Sequence, residues 1–400
     1  MFALLLLAAS ISWNFEGGSL DHVDVISPTH FRCGIKGQID QDQRNRQASW
    51  YYFRLDNAAG RQVVIDLVNL AGEYDFRPGN LAINQHTRPA YSYDRKSWKY
   101  FADDEVEWNN QEASLRLKLR PERNRVWIAH IVPYLQSDLS RLLREMHGNP
   151  YLLREVIGKS VQGRDLLLLT VTSSRAPETS RKVIWLMARQ HAWEAGTSWV
   201  VDGALRYLLS SDPQAIQLRN AYVFKMLPMC DPDGVVRGGV RYNLHGYDLN
   251  RNWDAFDAKL MPEIFAEHRA IIAWVDAGNR IDFFLNLHNT NEDYLEGPLS
   301  EGGPNLRQLG ERFARLLSDR TSFYSPSGPR DSLPPGVLFT RGRISADPSL
   351  FRERKLPAFL LELGVQYNPS LKRLRTVEDW RDFGRALVQV LGKLQETTDD

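Results

Sequence analysis

The stretch Val183-Ile184-Trp185-Leu186-Met187-Ala188-Arg189-Gln190-His191-Ala192-Trp193-Glu194 runs an apolar segment directly into an imidazole and a carboxylate. Val183 to Met187 reads as a buried strand. Thr197-Ser198-Trp199-Val200-Val201 reads as a helix start, with Thr197 or Ser198 as N-cap. His191 and Glu194 therefore belong to a loop at the C-terminal end of a strand, where open α/β sheets place their sites. Two intervening residues allow both side chains to reach one metal ion. An isolated His-x-x-Glu is usually coincidence, so the other parts of a site have to come from elsewhere in the chain.

The surroundings of this stretch alternate between strand and helix patterns. Leu166 to Val171, Tyr222 to Leu227, Phe283 to Leu287 and Phe359 to Leu361 read as strands; Val200 to Leu209 and Leu306 to Leu317 read as helices. Thr376 and Asp379 form a capping-box pattern ahead of a last helix with Trp380, Phe383, Leu387, Leu391 and Leu394 on one stripe. This is an α/β plan, a mixed sheet flanked by helices, over residues 136–395. Upstream, residues 13–135 read as an all-β sandwich: Leu115-Arg116-Leu117-Lys118-Leu119 alternates with period two, and Gly, Asn and Pro punctuate the apolar runs. Asp138 reads as the cap of a short helix carrying Leu139, Leu142, Leu143 and Met146, which puts the domain boundary between Pro133 and Pro150. His22, His30, His86 and His130 are scattered through the β region and read as surface or internally satisfied histidines.

The composition narrows the function classes. The 400 residues carry 50 Lys+Arg against 49 Asp+Glu, a net charge of +1. That gives no electrostatic reason to expect nucleic acid or an anionic membrane as partner. Two cysteines, Cys33 and Cys230, are too few for a disulfide framework or a cysteine-built zinc module and read as unpaired core residues. Phe2 to Ala9 is apolar but too short to span a bilayer. Residues 1–12 are read as a signal peptide cleaved after Ser12, which implies a secreted or periplasmic protein. The alternative is a first strand of the β domain in a cytoplasmic protein, and no Lys or Arg precedes the apolar run. No stable membrane insertion is expected after signal removal.

A third ligand for His191 and Glu194 is offered by His288, at the end of the apolar strand Phe283 to Leu287. Two histidines and a carboxylate leave a fourth position open, the pattern of a catalytic zinc ion. Asp231-Pro232-Asp233-Gly234 reads as a tight turn. It leads to Arg241-Tyr242-Asn243-Leu244-His245-Gly246-Tyr247-Asp248-Leu249-Asn250-Arg251-Asn252-Trp253. A guanidinium beside an amide is a natural carboxylate receptor.

His-x-x-Glu, Pro-Asp-Gly, Asp-Leu-Asn-Arg-Asn-Trp, a strand-end His and a strand-borne Glu, in that order, resemble the zinc carboxypeptidases of the M14 family. Within it the chain looks most like the cytosolic-carboxypeptidase branch or a divergent bacterial relative, over roughly residues 45 to 395. The resemblance implies one Zn2+ ion bound by His191, Glu194 and His288. It implies that Asn250 and Arg251 hold the substrate's terminal carboxylate, and that Arg241 polarises the scissile carbonyl. Glu362, in Phe359-Leu360-Leu361-Glu362-Leu363-Gly364, matches the general base. The implied substrate is the C-terminus of a peptide or protein.

The chain departs from the family pattern at several places. Relatives often have His-Pro-Gly-Glu where this chain has His191-Ala192-Trp193-Glu194, and His-Gly-His where it has His288-Asn289-Thr290. The family's substrate-closing tyrosine has no counterpart between Ser325 and Leu361; Tyr324 lies upstream and Phe339 lacks the hydroxyl. Arg341 and Arg343 would favour an acidic C-terminal residue and Asp347 a basic one; Glu292, Asp293 and Glu296 either select a basic group or face water. The alternatives are a related zinc amidohydrolase, acting on a peptidoglycan stem peptide or an N-acyl amino acid, and a non-catalytic binding protein on the same fold.

Overall fold

A computed structural model describes residues 8–80, 82–173, 181–336 and 339–396. It divides into two compact units: Met1–Pro133 with Gly234–Tyr242, and Tyr134–Asp233 with Asn243–Asp400. The assignment of 234–242 to the first unit has no counterpart in the linear reading of the sequence.

The first unit is a β-sandwich. One five-stranded sheet runs Ser10–Ser12, Tyr52–Asp56, Arg125–Ala129, Ala90–Ser92, Trp98–Tyr100. The other runs Val106–Asn109, Ser114–Leu119, Val63–Val68, His30–Gly34, His22–Ser27. Period-two alternation sends Leu115, Leu117 and Leu119 inward against Phe31, Phe53, Leu55, Ile65 and Leu67. Ser10–Ser12 pair antiparallel with Arg54–Asp56, so these residues form an edge strand. The rest of the signal-peptide reading falls on residues 1–7, outside the described residues. His130 is buried and its Nδ1 lies 2.6 Å from the Ser49 carbonyl. Cys33 and Cys230 are both free and buried.

The second unit holds an eight-stranded mixed sheet in the order Leu152–Lys159, Asp165–Val171, Tyr222–Leu227, Lys182–Ala188, Phe283–Thr290, Ala358–Gly364, Tyr294–Gly297, Arg330–Asp331. The four central strands, Tyr222–Leu227 to Ala358–Gly364, are mutually parallel. Their near-continuous apolar runs follow from burial on both faces. Helix Ala195–Leu208 packs on helix Val377–Glu396. Two glycines let them touch: a Cβ on Gly203 would stand 2.1 Å from the Arg381 carbonyl oxygen, and one on Gly384 1.9 Å from that of Val200. No helix among the described residues is long and apolar enough to cross a membrane.

Local details differ from the sequence expectations. The helix after the His191 loop starts at Ala195, with Glu194 rather than Thr197 or Ser198 at the N-cap position. The Thr197 hydroxyl instead donates to the Glu194 carbonyl at 2.8 Å. Asp138 lies inside its helix, Gln136–Glu145, and caps by accepting from the Leu135 amide at 2.8 Å. Pro232 opens a short helix, Pro232–Arg237, because the proline at a first helical position needs no amide partner. The capping box forms as expected, with Asp379 accepting from the Thr376 amide at 2.7 Å.

Candidate active site

Three side chains meet at the C-terminal ends of the central strands. His191 and Glu194 come from the loop after Lys182–Ala188, and His288 from the neighbouring strand Phe283–Thr290. Their ligating atoms lie within 4.8 Å of one another, and all three residues are buried. Glu194 holds the centre: Oε1 is 2.7 Å from His191 Nδ1, and Oε2 is 2.9 Å from His288 Nδ1. Oε2 also accepts from the Asn289 amide at 3.1 Å. Burial alone would raise the Glu194 pKa; the attraction of His191 and His288 outweighs it and holds the carboxylate ionised.

The far ring nitrogens are tied as well. His191 Nε2 is 3.0 Å from Asp248 Oδ1, and His288 Nε2 is 3.2 Å from the Asn250 amide nitrogen. Such outer partners fix ring orientation and leave each Nδ1 aimed at the cluster. Two ring nitrogens converge on one carboxylate at 2.7 and 2.9 Å, where imidazole protons or a shared cation can compensate its charge. The donor set fits a zinc ion with a further coordination position available.

The loops carrying these residues are bound to one another. Gln190 donates to the Leu249 carbonyl at 2.7 Å and accepts from Asn286 at 2.7 Å. Asn286 also donates to Asn250 Oδ1 at 3.3 Å. Arg189 adopts φ 65°, and its buried guanidinium donates to the Ala192 carbonyl at 2.8 Å, folding the loop back on itself. Asp248, Gln190, Asn286 and Arg189 were not singled out from sequence. Asp248 had a signal there, since it opens the Asp-Leu-Asn-Arg-Asn-Trp run; the amides had none.

Asn250 is placed differently from the resemblance-based expectation. It is 2% exposed, and its amide is committed to His288 on one side and to Asn286 and the Ala346 amide on the other. That is the geometry of a positioning residue, not of an open carboxylate receptor. Arg251 is half-buried, and its Nη1 donates to the Asn250 carbonyl at 2.8 Å. Arg241 belongs to the first unit, where Gln38 Oε1 accepts from the amides of Val240, Arg241 and Tyr242 at 2.8, 2.6 and 3.0 Å.

Glu362 sits in the strand Ala358–Gly364, in parallel register with His288. Paired residues project to the same face of a sheet, so the carboxylate shares a face with the ligand histidine. Of the acidic residues near this strand, Asp293 neither selects substrate nor faces water. It is 7% exposed and bound to both terminal nitrogens of Arg375 at 2.9 and 2.7 Å. Glu292 is exposed and paired with Arg330 at 2.7 Å. Asp347 is fully buried, accepts from the Ser345 hydroxyl at 2.9 Å, and is pushed up to about 8 by burial and by the nearby Glu296.

The zinc carboxypeptidase family profile matches residues 139–296, and the cytosolic carboxypeptidase N-terminal domain profile matches residues 11–131. Residues 139–296 are thus similar to the M14 zinc carboxypeptidases. The chain is 30% identical over 261 residues to cytosolic carboxypeptidase 6 of Caenorhabditis elegans, covering 63% of this chain and 56% of that protein. The chain thus spans about half the length of that relative. It is 27% identical over 408 residues to an uncharacterised protein of Zymomonas mobilis, covering 97% of each. It shares its fold with a metallo-carboxypeptidase from Burkholderia cenocepacia, at TM-score 0.85 and 23% identity, over 98% of this chain and 100% of that one. The catalytic-domain match stops at 296, so it takes in His191, Glu194, Asp248 and His288 but not Glu362.

Proposed function

We propose that this protein is a zinc-dependent metallocarboxypeptidase that hydrolyses the C-terminal peptide bond of a peptide or protein. The observation that carries the reading is the buried His191–Glu194–His288 cluster with Glu362 in register beside His288 on the next strand. His191, Glu194 and His288 would hold one Zn2+ ion, which when bound lowers the pKa of a coordinated water and polarises a carbonyl. Asp248 and Asn250 keep the two imidazoles aimed.

Glu362 removes a proton from the attacking water and returns it to the leaving amine, the two tasks of one general acid–base. Arg251 binds the terminal carboxylate through its guanidinium fork. The names of the cytosolic carboxypeptidase relatives support a cytoplasmic location, and the strand pairing of Ser10–Ser12 agrees with retention of those residues.

The test is to purify the protein with zinc and follow trimming of a free-C-terminal peptide library by mass spectrometry, with Glu362→Gln as control. Loss of single C-terminal residues, abolished in Glu362→Gln, is the expected result. Zinc uptake with cleavage of some other amide would replace this reading by the amidohydrolase one. Absence of zinc uptake would overturn both.

A further inference from the structure

The strand Phe283–Thr290 outruns its neighbour Lys182–Ala188, whose ladder ends at the Ala188–Leu287 pair. The backbone amide of Asn289 lies beyond that ladder, and Glu194 Oε2 accepts it at 3.1 Å. On the other flank Asn289 stands opposite Leu363, next to the His288–Glu362 pair. There its side-chain Nδ2 donates to the Leu363 carbonyl at 2.9 Å. The strand Ala358–Gly364 loses its outer ladder at the same level, since its pairing with Tyr294–Gly297 ends at the Tyr294–Glu362 pair. Glu362 therefore sits on the last rung of that ladder, and Asn289 grips the chain immediately after it.

We propose that Asn289 is a positioning residue for the proton-transfer group. Its side-chain amide holds the Glu362 strand against the strand that carries His288, while its backbone amide holds Glu194. The proposal rests on the carboxypeptidase reading above. One residue, next in sequence to the ligand His288, thus fixes a second ligand carboxylate and the general base relative to each other.

The surroundings are shaped for this amide. Asn289 is 2% exposed, so water does not compete for its nitrogen. The Leu363 carbonyl can only accept, which fixes the end of the amide that meets it as Nδ2. Oδ1 is left buried with no hydrogen-bond partner among the described residues. An unpaired buried oxygen lowers stability and offsets what the Leu363 bond contributes to the fold. The consequence of the bond is therefore geometric rather than stabilising. Gly196 in the helix Ala195–Leu208 leaves the room for it: a Cβ there would stand 2.7 Å from Asn289 Oδ1 and 3.0 Å from Nδ2.

Asn289→Leu keeps the volume and removes the donor. Asn289→Gly removes the side chain without crowding Gly196, and serves if the leucine variant does not fold. The expected result is a fall of about tenfold in kcat, with KM and zinc affinity within about twofold of the wild type, because a displaced general base is felt only in the transition state. A merely structural residue would lower the rate by the same factor whether or not Glu362 is present. In a Glu362→Gln background, the Asn289 change should therefore lower the slow residual turnover, followed by mass spectrometry over long incubation, by less than about twofold. An equal fall in both backgrounds, a loss carried by KM or zinc affinity, or no fall in either would overturn the Asn289 proposal and leave the carboxypeptidase reading standing. A zinc-loaded wild type that trims no peptide would overturn both.

Discussion

Asp248 Oδ1 lies 3.0 Å from His191 Nε2 and accepts from the Asn250 backbone amide at 2.9 Å. One carboxylate oxygen thus orients a ligand ring and fixes the residue that touches the other ligand ring. Asp248→Asn keeps the shape but weakens the hold on His191. Zinc affinity should fall by about 10- to 100-fold, the usual cost of losing such a partner. Competition with a fluorescent chelator reads this directly, and an unchanged affinity would show that Asp248 is bystander structure.

Glu362→Gln separates the proton-transfer role from the metal. The strand register that sets residue 362 beside His288 does not depend on the carboxylate. Turnover should drop by about 10²- to 10⁴-fold, as for loss of a positioned general base. Zinc stoichiometry, measured by mass spectrometry under native conditions, should not change.

Asp293 and Arg375 form a fully desolvated pair, with side chains 3% and 1% exposed. Asp293 also accepts from the Gly364 amide at 2.6 Å and the Tyr324 amide at 2.9 Å, so it ties the end of the Glu362 strand to the segment around Tyr324. Asp293→Asn leaves Arg375 buried without its counter-charge and should cost about 3–5 kcal/mol. Urea denaturation tests the size of the loss. A surface-type effect of a few tenths would mean that water reaches the pair.

His130 gives the first unit an acid-side weakness. Burial pulls its pKa down to about 4, against an ordinary value of 6.5, with the Ser49 carbonyl opposing the shift. The folded chain keeps His130 neutral while the unfolded chain takes up a proton below 6.5. Stability contributed by the neutral ring is therefore present above 6.5 and lost as pH falls towards 4, by up to about 3 kcal/mol. His130→Phe should flatten the melting temperature between pH 6.5 and 4 relative to wild type. An equal slope in both proteins would assign the acid sensitivity to other groups.

Much of this was legible in the chain because strand ends carry the chemistry. An apolar run followed by a polar residue announces a strand terminus, and His191 and His288 both follow such runs. Glu362 was legible from its apolar flanks and its motif. What could not be read was connection between loops: Gln190, Asn286 and Asn250 act through amides that look ordinary in any sequence. The commitment of Asp293 to Arg375 spans 82 positions and has no local signature. The excursion of Gly234–Tyr242 into the first unit was hidden because contact, not composition, defines a unit.

The register that pairs His288 with Glu362 has an evolutionary consequence. Neighbouring strands lie about 4.8 Å apart whatever their side chains, because the backbone hydrogen bond sets that spacing. The separation between a metal ligand and the proposed base is therefore a fixed repeat of the sheet, immune to insertions in the loops that follow. Loops outside the sheet can change and re-tailor which peptide is accepted. The proton-transfer distance does not have to be reinvented each time.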